Sequence, residues 1–173
     1  KISKMIRISF YIVILCLSFL SFSQNTNETC TSIYLIRHAE KVRDNSGDRN
    51  PHLNPDGILR ADKWRDVLKH IKFDMIYSTN LYRTLETATP ISEYNQLDIQ
   101  TYPPSKDYYN QFLESNKGKI ILVVGHSNTT PDFVNSLIEK NFYKDIDDNN
   151  NGNLYYIHKC DNNEPTHVLF YIN

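Results

Sequence analysis

The sequence has little net charge, and this balance limits what the protein can bind. Its 173 residues contain 19 Lys and Arg against 20 Asp and Glu, which gives a formal net charge of -1. A domain that binds nucleic acid usually carries a clear excess of basic residues. We therefore expect no nucleic-acid partner, and any site for an anion must be built locally from a few side chains.

Closely spaced cysteines are also missing. The chain has 3 cysteines and no C-x-x-C element, whereas zinc sites usually combine close Cys or His pairs. The segment His38–Glu40 matches the H-x-E element of zinc nucleobase deaminases, but those enzymes also need a Pro-Cys-x-x-Cys pair for the metal. The missing pair excludes that function, and since no set of carboxylates suggests another metal, we expect neither a metal nor another cofactor.

No apolar run reaches the roughly 20 residues that a membrane-spanning helix needs. The longest run is Ile8–Phe22, which follows a basic start and ends near small serine residues. This layout is typical of a secretory signal peptide, with a membrane anchor as the alternative. We predict a signal peptide at 1–23, a polar leader at 24–31 and one domain at 32–173. The expected product is periplasmic or secreted and makes no stable membrane association after cleavage.

Two cysteines remain once the predicted signal peptide is removed, Cys30 and Cys160. An even number of cysteines in an exported protein is consistent with a disulfide. The alternative is two separate buried thiols, and the sequence leaves both open.

The rest of the chain alternates short apolar strands with amphipathic helices. Predicted strands lie at 32–36, 73–78, 99–102, 119–124, 154–158 and 167–172, and predicted helices lie between the first four strands and after the fourth. Such alternation indicates an α/β fold with a mostly parallel sheet that helices cover on both faces, in three α/β/α layers. The most apolar strand, at 119–124, is expected near the centre of the sheet.

Local signals place the ends and faces of the helices. Asn54 can cap the first helix, with Pro55 at its first position, and Thr130 is predicted to cap the last. The predicted buried stripe of the first helix is Ile58, Ala61, Trp64, Val67, Leu68 and Ile71. The Asp/Asn run that begins at Asp145 lacks the glycine and glutamate of a calcium loop, so we interpret it as a solvated turn.

Polar side chains follow three of the predicted strands. Arg37 and His38 end the first strand, Arg83 lies one turn into the helix after the second, and His126 ends the central strand. Ligands of open α/β sheets bind beyond the carboxyl ends of the strands. Arginine forks match phosphate oxygens, a neutral imidazole is a competent nucleophile, and the helix start after Asn128 favours an anion. We therefore expect a phosphoryl-transfer site at this edge.

These three blocks, LIRHAEK, YSTNLYRTLETA and VVGHSN, resemble the histidine phosphatase superfamily in order and spacing. The resemblance extends from Ser32 to the C-terminus and is strongest to the small single-domain branch related to phosphohistidine phosphatases. It implies a phosphoglycerate-mutase-like fold and hydrolysis of a phosphorylated small molecule. By this resemblance His38 becomes phosphorylated, while Arg37, Arg83 and His126 complete the phosphate pocket. Asn128, at the start of the next helix, is expected to contribute to phosphate binding.

The proton donor is the point at which this sequence departs from the family pattern. Ser127 stands where larger acid phosphatases of the superfamily have an aspartate, so Asp107 is our candidate proton donor and Asp132 a weaker one. We interpret Glu40 as a group that orients its neighbours and leave it out of the catalytic set. A protein of the same fold that binds phosphate or phosphoesters without turnover is the alternative function.

Overall fold

The structure is a computed structural model that describes residues 28–44 and 47–172. The predicted signal peptide at 1–23 lies outside the described residues. None of the helices in the described part of the chain is long and apolar enough to cross a membrane.

The described residues form six strands and four helices, which alternate as predicted until the last two strands. The strands are β1 (Cys30–Arg37), β2 (Met75–Ser78), β3 (Ile99–Thr101), β4 (Ile120–Gly125), β5 (Asn153–Cys160) and β6 (Thr166–Tyr171). The helices are α1 (Pro55–Leu68), α2 (Tyr82–Asn95), α3 (Lys106–Ser115) and α4 (Thr129–Leu137).

The strands form one sheet in the order β3-β2-β4-β1-β5-β6. The first four of these are mutually parallel, whereas β5 and β6 add antiparallel strands at one side. The register pairs Arg37 with Gly125, so β1 and β4 end side by side. Because parallel strands share their carboxyl edge, the residues that follow β1, β2 and β4 emerge at the same edge of the sheet.

Helices cover both faces of the sheet, which confirms the predicted three-layer α/β/α fold. On one face α1 and α2 enclose a core that includes Trp64 and Ile91, and on the other α3 and α4 enclose one that includes Phe112 and Phe133. The central position of β4 is also confirmed, since β4 contributes residues such as Leu122 and Val123 to opposite cores.

The buried face of α1 is narrower than predicted. Ala61, Trp64 and Leu68 are buried, but Ile58 is 56% exposed and Val67 39% exposed, so their assignment to the core is wrong. The residues at i, i+3 and i+7 point at the sheet, and the flanking positions reach solvent.

The first residues of α1 approach the loop after β1 closely. Asn54 caps α1 as predicted, with its side-chain oxygen accepting from the Gly57 N–H at 2.8 Å. A Cβ atom on Gly57 would lie 2.0 Å from the carbonyl oxygen of Glu40. Glycine therefore lets the helix pack against the backbone of the loop that carries His38.

The last helix begins earlier than predicted. α4 starts at Thr129 after Asn128, so the prediction that Thr130 is the cap is wrong. Thr130 is buried, and its hydroxyl donates to the carbonyl oxygen of Ile36 at 3.4 Å. This contact with β1 replaces a capping role, because the side chain points at the sheet.

Cys30 and Cys160 form a disulfide that joins β1 to β5 across 130 residues of chain. The two residues are direct partners in the antiparallel register. The alternative of two separate thiols is therefore wrong. β1 begins at Cys30, two residues before the predicted first strand at 32–36.

Candidate active site

The ends of β1 and β4 bring the two predicted histidines together. The N–H of His38 donates to the carbonyl oxygen of Gly125 at 2.9 Å, which fixes the two strand ends against each other. The imidazole rings of His38 and His126 then meet with 5.4 Å between their centroids, nearly edge to face. The parallel register thus places two residues, 88 positions apart in sequence, in one site.

The ring of His38 has a defined tautomer. Its Nδ1 lies 2.7 Å from the carbonyl oxygen of Ala39, and a carbonyl oxygen can only accept a hydrogen bond. Nδ1 therefore carries the proton and Nε2 carries the lone pair. Nε2 makes no hydrogen bond with any residue in the described ranges, so the lone pair is available to a ligand.

Burial keeps this imidazole neutral. His38 is only 4% exposed, and burial is the main reason that its pKa falls to about 3, with His126, Arg37 and Arg83 lowering it further. The hydrogen bond to the Ala39 carbonyl raises the pKa of His38, but by less than burial lowers it. At neutral pH the ring is an uncharged nitrogen nucleophile.

The protein engages one ring nitrogen of His126 and leaves the other without a partner. Nε2 of this ring lies 2.9 Å from the Thr79 hydroxyl, which itself contacts the Thr84 hydroxyl at 2.9 Å. Nδ1 is buried and has no hydrogen-bond partner among the described residues. Burial, with Arg83 and Arg37, lowers the pKa of His126 to about 4. Nδ1 is therefore the atom left to meet a ligand.

Arg37 is almost completely occupied by other protein groups. It is 1% exposed, and its Nη1 donates to the carbonyl oxygens of Asp147, Asp148 and Asn150 at 2.9, 3.0 and 3.0 Å. Its Nη2 donates to the Asp148 carboxylate at 2.8 Å. Its Nε is buried without a partner. Arg37 can therefore offer chiefly Nε to a ligand.

Arg83 differs because its guanidinium has few partners. Nε and Nη1 are both buried and make no hydrogen bond within 28–44 and 47–172. Burial and the nearby Arg37 lower the pKa of Arg83. Buried donors are normally satisfied in native proteins, so these unpaired N–H groups favour an anionic ligand.

Two further cations border the site. Lys41 is partly buried, and burial together with Arg83 and Arg43 lowers the pKa of its amine. Arg43 forms an ion pair of 2.5 Å with the Asp148 carboxylate. Neither side chain was predicted to take part in the site, because single basic residues in a polar loop usually face water.

None of the three carboxylates considered above makes a hydrogen bond with His38 or His126 in the described part of the chain. Glu40 pairs with Arg60 of α1 at 2.7 Å, which agrees with leaving it out of the catalytic set. Asp107 and Asp132 are exposed in the first turns of α3 and α4. In the described part of the chain, neither carboxylate makes a hydrogen bond or ion pair.

Asn128 lies exposed at the start of α4, immediately after the His126 loop. Its side chain makes no capping hydrogen bond. Of the first N–H groups of α4, that of Thr130 donates to the His126 carbonyl oxygen at 3.0 Å, and Pro131 has none, so few are left for an anion. The role of Asn128 in binding stays a prediction.

Metal ligands do not converge at this edge of the sheet. The cluster of donor atoms close enough for a metal, among the described residues, is Cys30, His158 and Cys160. Both of its sulfur atoms are in the disulfide, and the cluster lies at the opposite end of β1.

Residues 33–107 match the model of the histidine phosphatase superfamily (branch 1). This range contains Arg37, His38, Arg83 and Asp107, while His126 lies beyond it. No curated protein matches the sequence.

Several solved phosphatase structures share the fold. The proposed phosphohistidine phosphatase SixA from Agrobacterium tumefaciens is 18% identical with a TM-score of 0.62, over 83% of this chain and 99% of that one. Phosphoserine phosphatase from Entamoeba histolytica is 19% identical with a TM-score of 0.61, over 83% and 98%. Mycobacterial glucosyl-3-phosphoglycerate phosphatase is 12% identical with a TM-score of 0.64, over 83% and 99%. At these identities the likeness shows the fold alone.

Proposed function

We propose that this chain, whose residues 33–107 match the histidine phosphatase superfamily, hydrolyses a phosphomonoester or a phosphoramidate through a phosphohistidine intermediate on His38. The observation that carries this proposal is the free Nε2 of a neutral His38, held beside the unpaired N–H groups of Arg83 and the imidazole ring of His126. A nucleophile, an anion site and a second imidazole are the groups that phosphoryl transfer needs.

In the first step the Nε2 lone pair of His38 attacks phosphorus in line with the leaving group. The N–P bond forms as the P–O or P–N bond to the leaving group breaks, and that group leaves with the bonding electron pair and takes up a proton. The ring becomes positively charged, and the Ala39 carbonyl stabilises this charge through Nδ1–H. Arg83, the Nε of Arg37 and His126 stabilise the charge that spreads over the phosphoryl oxygens.

In the second step water attacks the phosphohistidine from the side that the leaving group has vacated. The O–P bond forms, the N–P bond breaks, its electron pair returns to Nε2, and the attacking water releases a proton to the solvent. Phosphate leaves and His38 is neutral again. The low pKa of His38 favours this return, because a buried imidazole surrounded by cations disfavours the charged form.

The substrate is a phosphorylated small molecule. Phosphatases of the same fold are named for phosphohistidine, phosphoserine and glucosyl-3-phosphoglycerate. Because Asp107 is exposed and makes no contact with the histidines, the proposal favours leaving groups that need little help from an acid, such as aryl esters and phosphoramidates. Asp107 remains the candidate proton donor for other esters.

We also propose that the protein is exported. The disulfide between Cys30 and Cys160 supports this, since disulfides form and persist in oxidising compartments. Localisation of the full-length chain fused to a reporter that is active only outside the cytoplasm tests it. A signal confined to the cytoplasm would contradict export.

Hydrolysis of an aryl phosphate by purified wild type, His38→Ala and His70→Ala tests the function. His70 is an exposed histidine outside the site and serves as the matched control. We expect turnover in the wild type and in His70→Ala but none in His38→Ala. After quenching, an acid-labile phosphoryl group should be present on the wild type and on His70→Ala and absent from His38→Ala. Phosphate binding without turnover in all three proteins would favour the non-catalytic alternative.

A further inference from the structure

A polar turn that was predicted only to face solvent contacts both halves of the Arg37-His38 pair. This turn, residues 147–151, lies between α4 and β5 and reads Asp-Asp-Asn-Asn-Asn. Its contacts with the pair span more than 100 residues of sequence, so no local pattern could indicate them.

The turn surrounds the end of the Arg37 side chain. Its backbone supplies three carbonyl oxygens to Nη1, and Asp148 supplies a carboxylate oxygen to Nη2. Backbone carbonyls that converge on one nitrogen fix its position more firmly than a single flexible side chain could. The bonds to Nη1 and Nη2 together fix the guanidinium plane. Nε is buried and has no hydrogen-bond partner among the described residues.

The same turn reaches the nucleophile. The side-chain amide of Asn151, which is 5% exposed, donates to the carbonyl oxygen of His38 at 2.8 Å. This bond fixes the peptide group that directly follows the His38 side chain.

Several hydrogen bonds within and around the turn keep it in shape. The side chain of Asp147 accepts from the Asn149 N–H at 2.9 Å, and that of Asn150 accepts from the Gly152 N–H at 2.9 Å. Asp and Asn side chains often hold turns by such bonds to nearby backbone. At its start, the N–H of Ile146 donates to the Ser127 carbonyl at 2.8 Å, which ties the turn to the loop after His126.

From these contacts we infer that Asp148, on the frame of the 147–151 turn, is a positioning residue that aims Arg37 for phosphoryl transfer. This inference rests on the proposed function. Asp148 touches neither histidine, so it acts through Arg37. Its carboxylate is shared with Arg43, whose ion pair holds the other oxygen and keeps Asp148 against the turn. Hydrogen bonds from Arg43 and Arg37 also hold the pKa of Asp148 well below its usual range.

In Asp148→Asn, the loss of charge and the loss of positioning should change the kinetics in opposite directions. This variant therefore distinguishes a positioning role from a general electrostatic effect. The substitution removes one negative charge beside an anion site, and this alone would strengthen phosphate binding. It also weakens the hold on Nη2 of Arg37, because the single neutral oxygen of an amide is a weaker acceptor than a carboxylate and cannot serve Arg37 and Arg43 at once. The guanidinium of Arg37 is then less well placed in the transition state. We therefore expect kcat to fall on the order of tenfold or more, with KM unchanged or lower, because the lost contact acts mainly in the transition state.

The test compares wild type, Asp148→Asn and Asp145→Asn with an aryl phosphate and with inorganic phosphate as inhibitor. Asp145 is exposed in the same segment and makes no hydrogen bond or ion pair with the described residues, so it controls for the loss of one charge. We expect Asp145→Asn to keep the wild-type kcat. A kcat of Asp148→Asn within twofold of wild type, or an equal loss in Asp145→Asn, would overturn the assignment.

A second measurement does not depend on turnover. The buried Nε–H of Arg37 should exchange slowly with solvent in an NMR experiment on the wild type and at least tenfold faster in Asp148→Asn. Unchanged exchange in a folded Asp148→Asn protein contradicts the positioning role even if the wild type is inactive. If the wild type shows no turnover but the two proteins differ in exchange as expected, the result contradicts the proposed function and not the positioning role.

Discussion

Two buried neutral histidines should make the stability of this protein depend strongly on pH. Unfolding exposes His38 and His126 to water, where their pKa returns to about 6.5, whereas the native values are about 3 and about 4. Between these values the unfolded state binds more protons than the native state, so stability rises with pH and is complete above about pH 7. It is lost progressively as the pH falls toward the native pKa values.

The size of the effect follows from the two shifts. At pH 5 both native rings are still neutral, while both unfolded rings are almost fully protonated. Each histidine then lowers the free energy of unfolding by about 2 kcal/mol relative to pH 8, or about 4 kcal/mol together. With a urea dependence typical of a domain of this size, the unfolding midpoint should fall by about 2 M.

Urea unfolding at pH 8 and pH 5 in buffers without phosphate measures this difference. His38→Gln and His126→Gln should each lose about half of the wild-type pH dependence, because one proton-binding group is removed from the unfolded state. His70→Gln, at an exposed position, should keep it. An equal shift in wild type and in both site variants would refute the argument that burial suppresses protonation.

Three further outcomes follow from the structure. Arg83→Ala should lower kcat on the order of 100-fold or more, because it removes the unpaired donors of the site. Arg65→Ala, on the outer face of α1, should keep the wild-type kcat. Full activity in Arg83→Ala would contradict its role. Asp107→Asn should spare aryl phosphates and phosphoramidates but slow alkyl esters if Asp107 supplies the proton, and a uniform profile across such a substrate panel would remove it as a candidate. Gly57→Ala should lower the free energy of unfolding by about 2 kcal/mol, because its Cβ would meet the Glu40 carbonyl oxygen, and an unchanged thermal midpoint would contradict that clash.

Local signals in the sequence were sufficient for the main architecture. Residues close together in the chain determine the cap at Asn54, the apolar strand at 119–124 and the alternation of strands and helices. The sequence pattern therefore indicates these features directly. The errors lie where tertiary contacts override a local preference. Ile58 and Val67 fit a helical stripe, yet the sheet covers a narrower face, and Thr130 fits a cap, yet its hydroxyl turns toward β1.

The sequence by itself determined which residue types reach the carboxyl edge of the sheet: a histidine and an arginine after β1, an arginine after β2 and a histidine after β4. Hydrophobic patterning gives the order of strands and helices along the chain, and parallel strands share their carboxyl edge. The tertiary structure decided what each group can do. The Ala39 carbonyl selects the tautomer of His38, burial sets its charge, and Asp148 occupies Arg37 while Arg83 stays unpaired. These properties depend on distances between residues far apart in the chain, which composition and spacing do not encode.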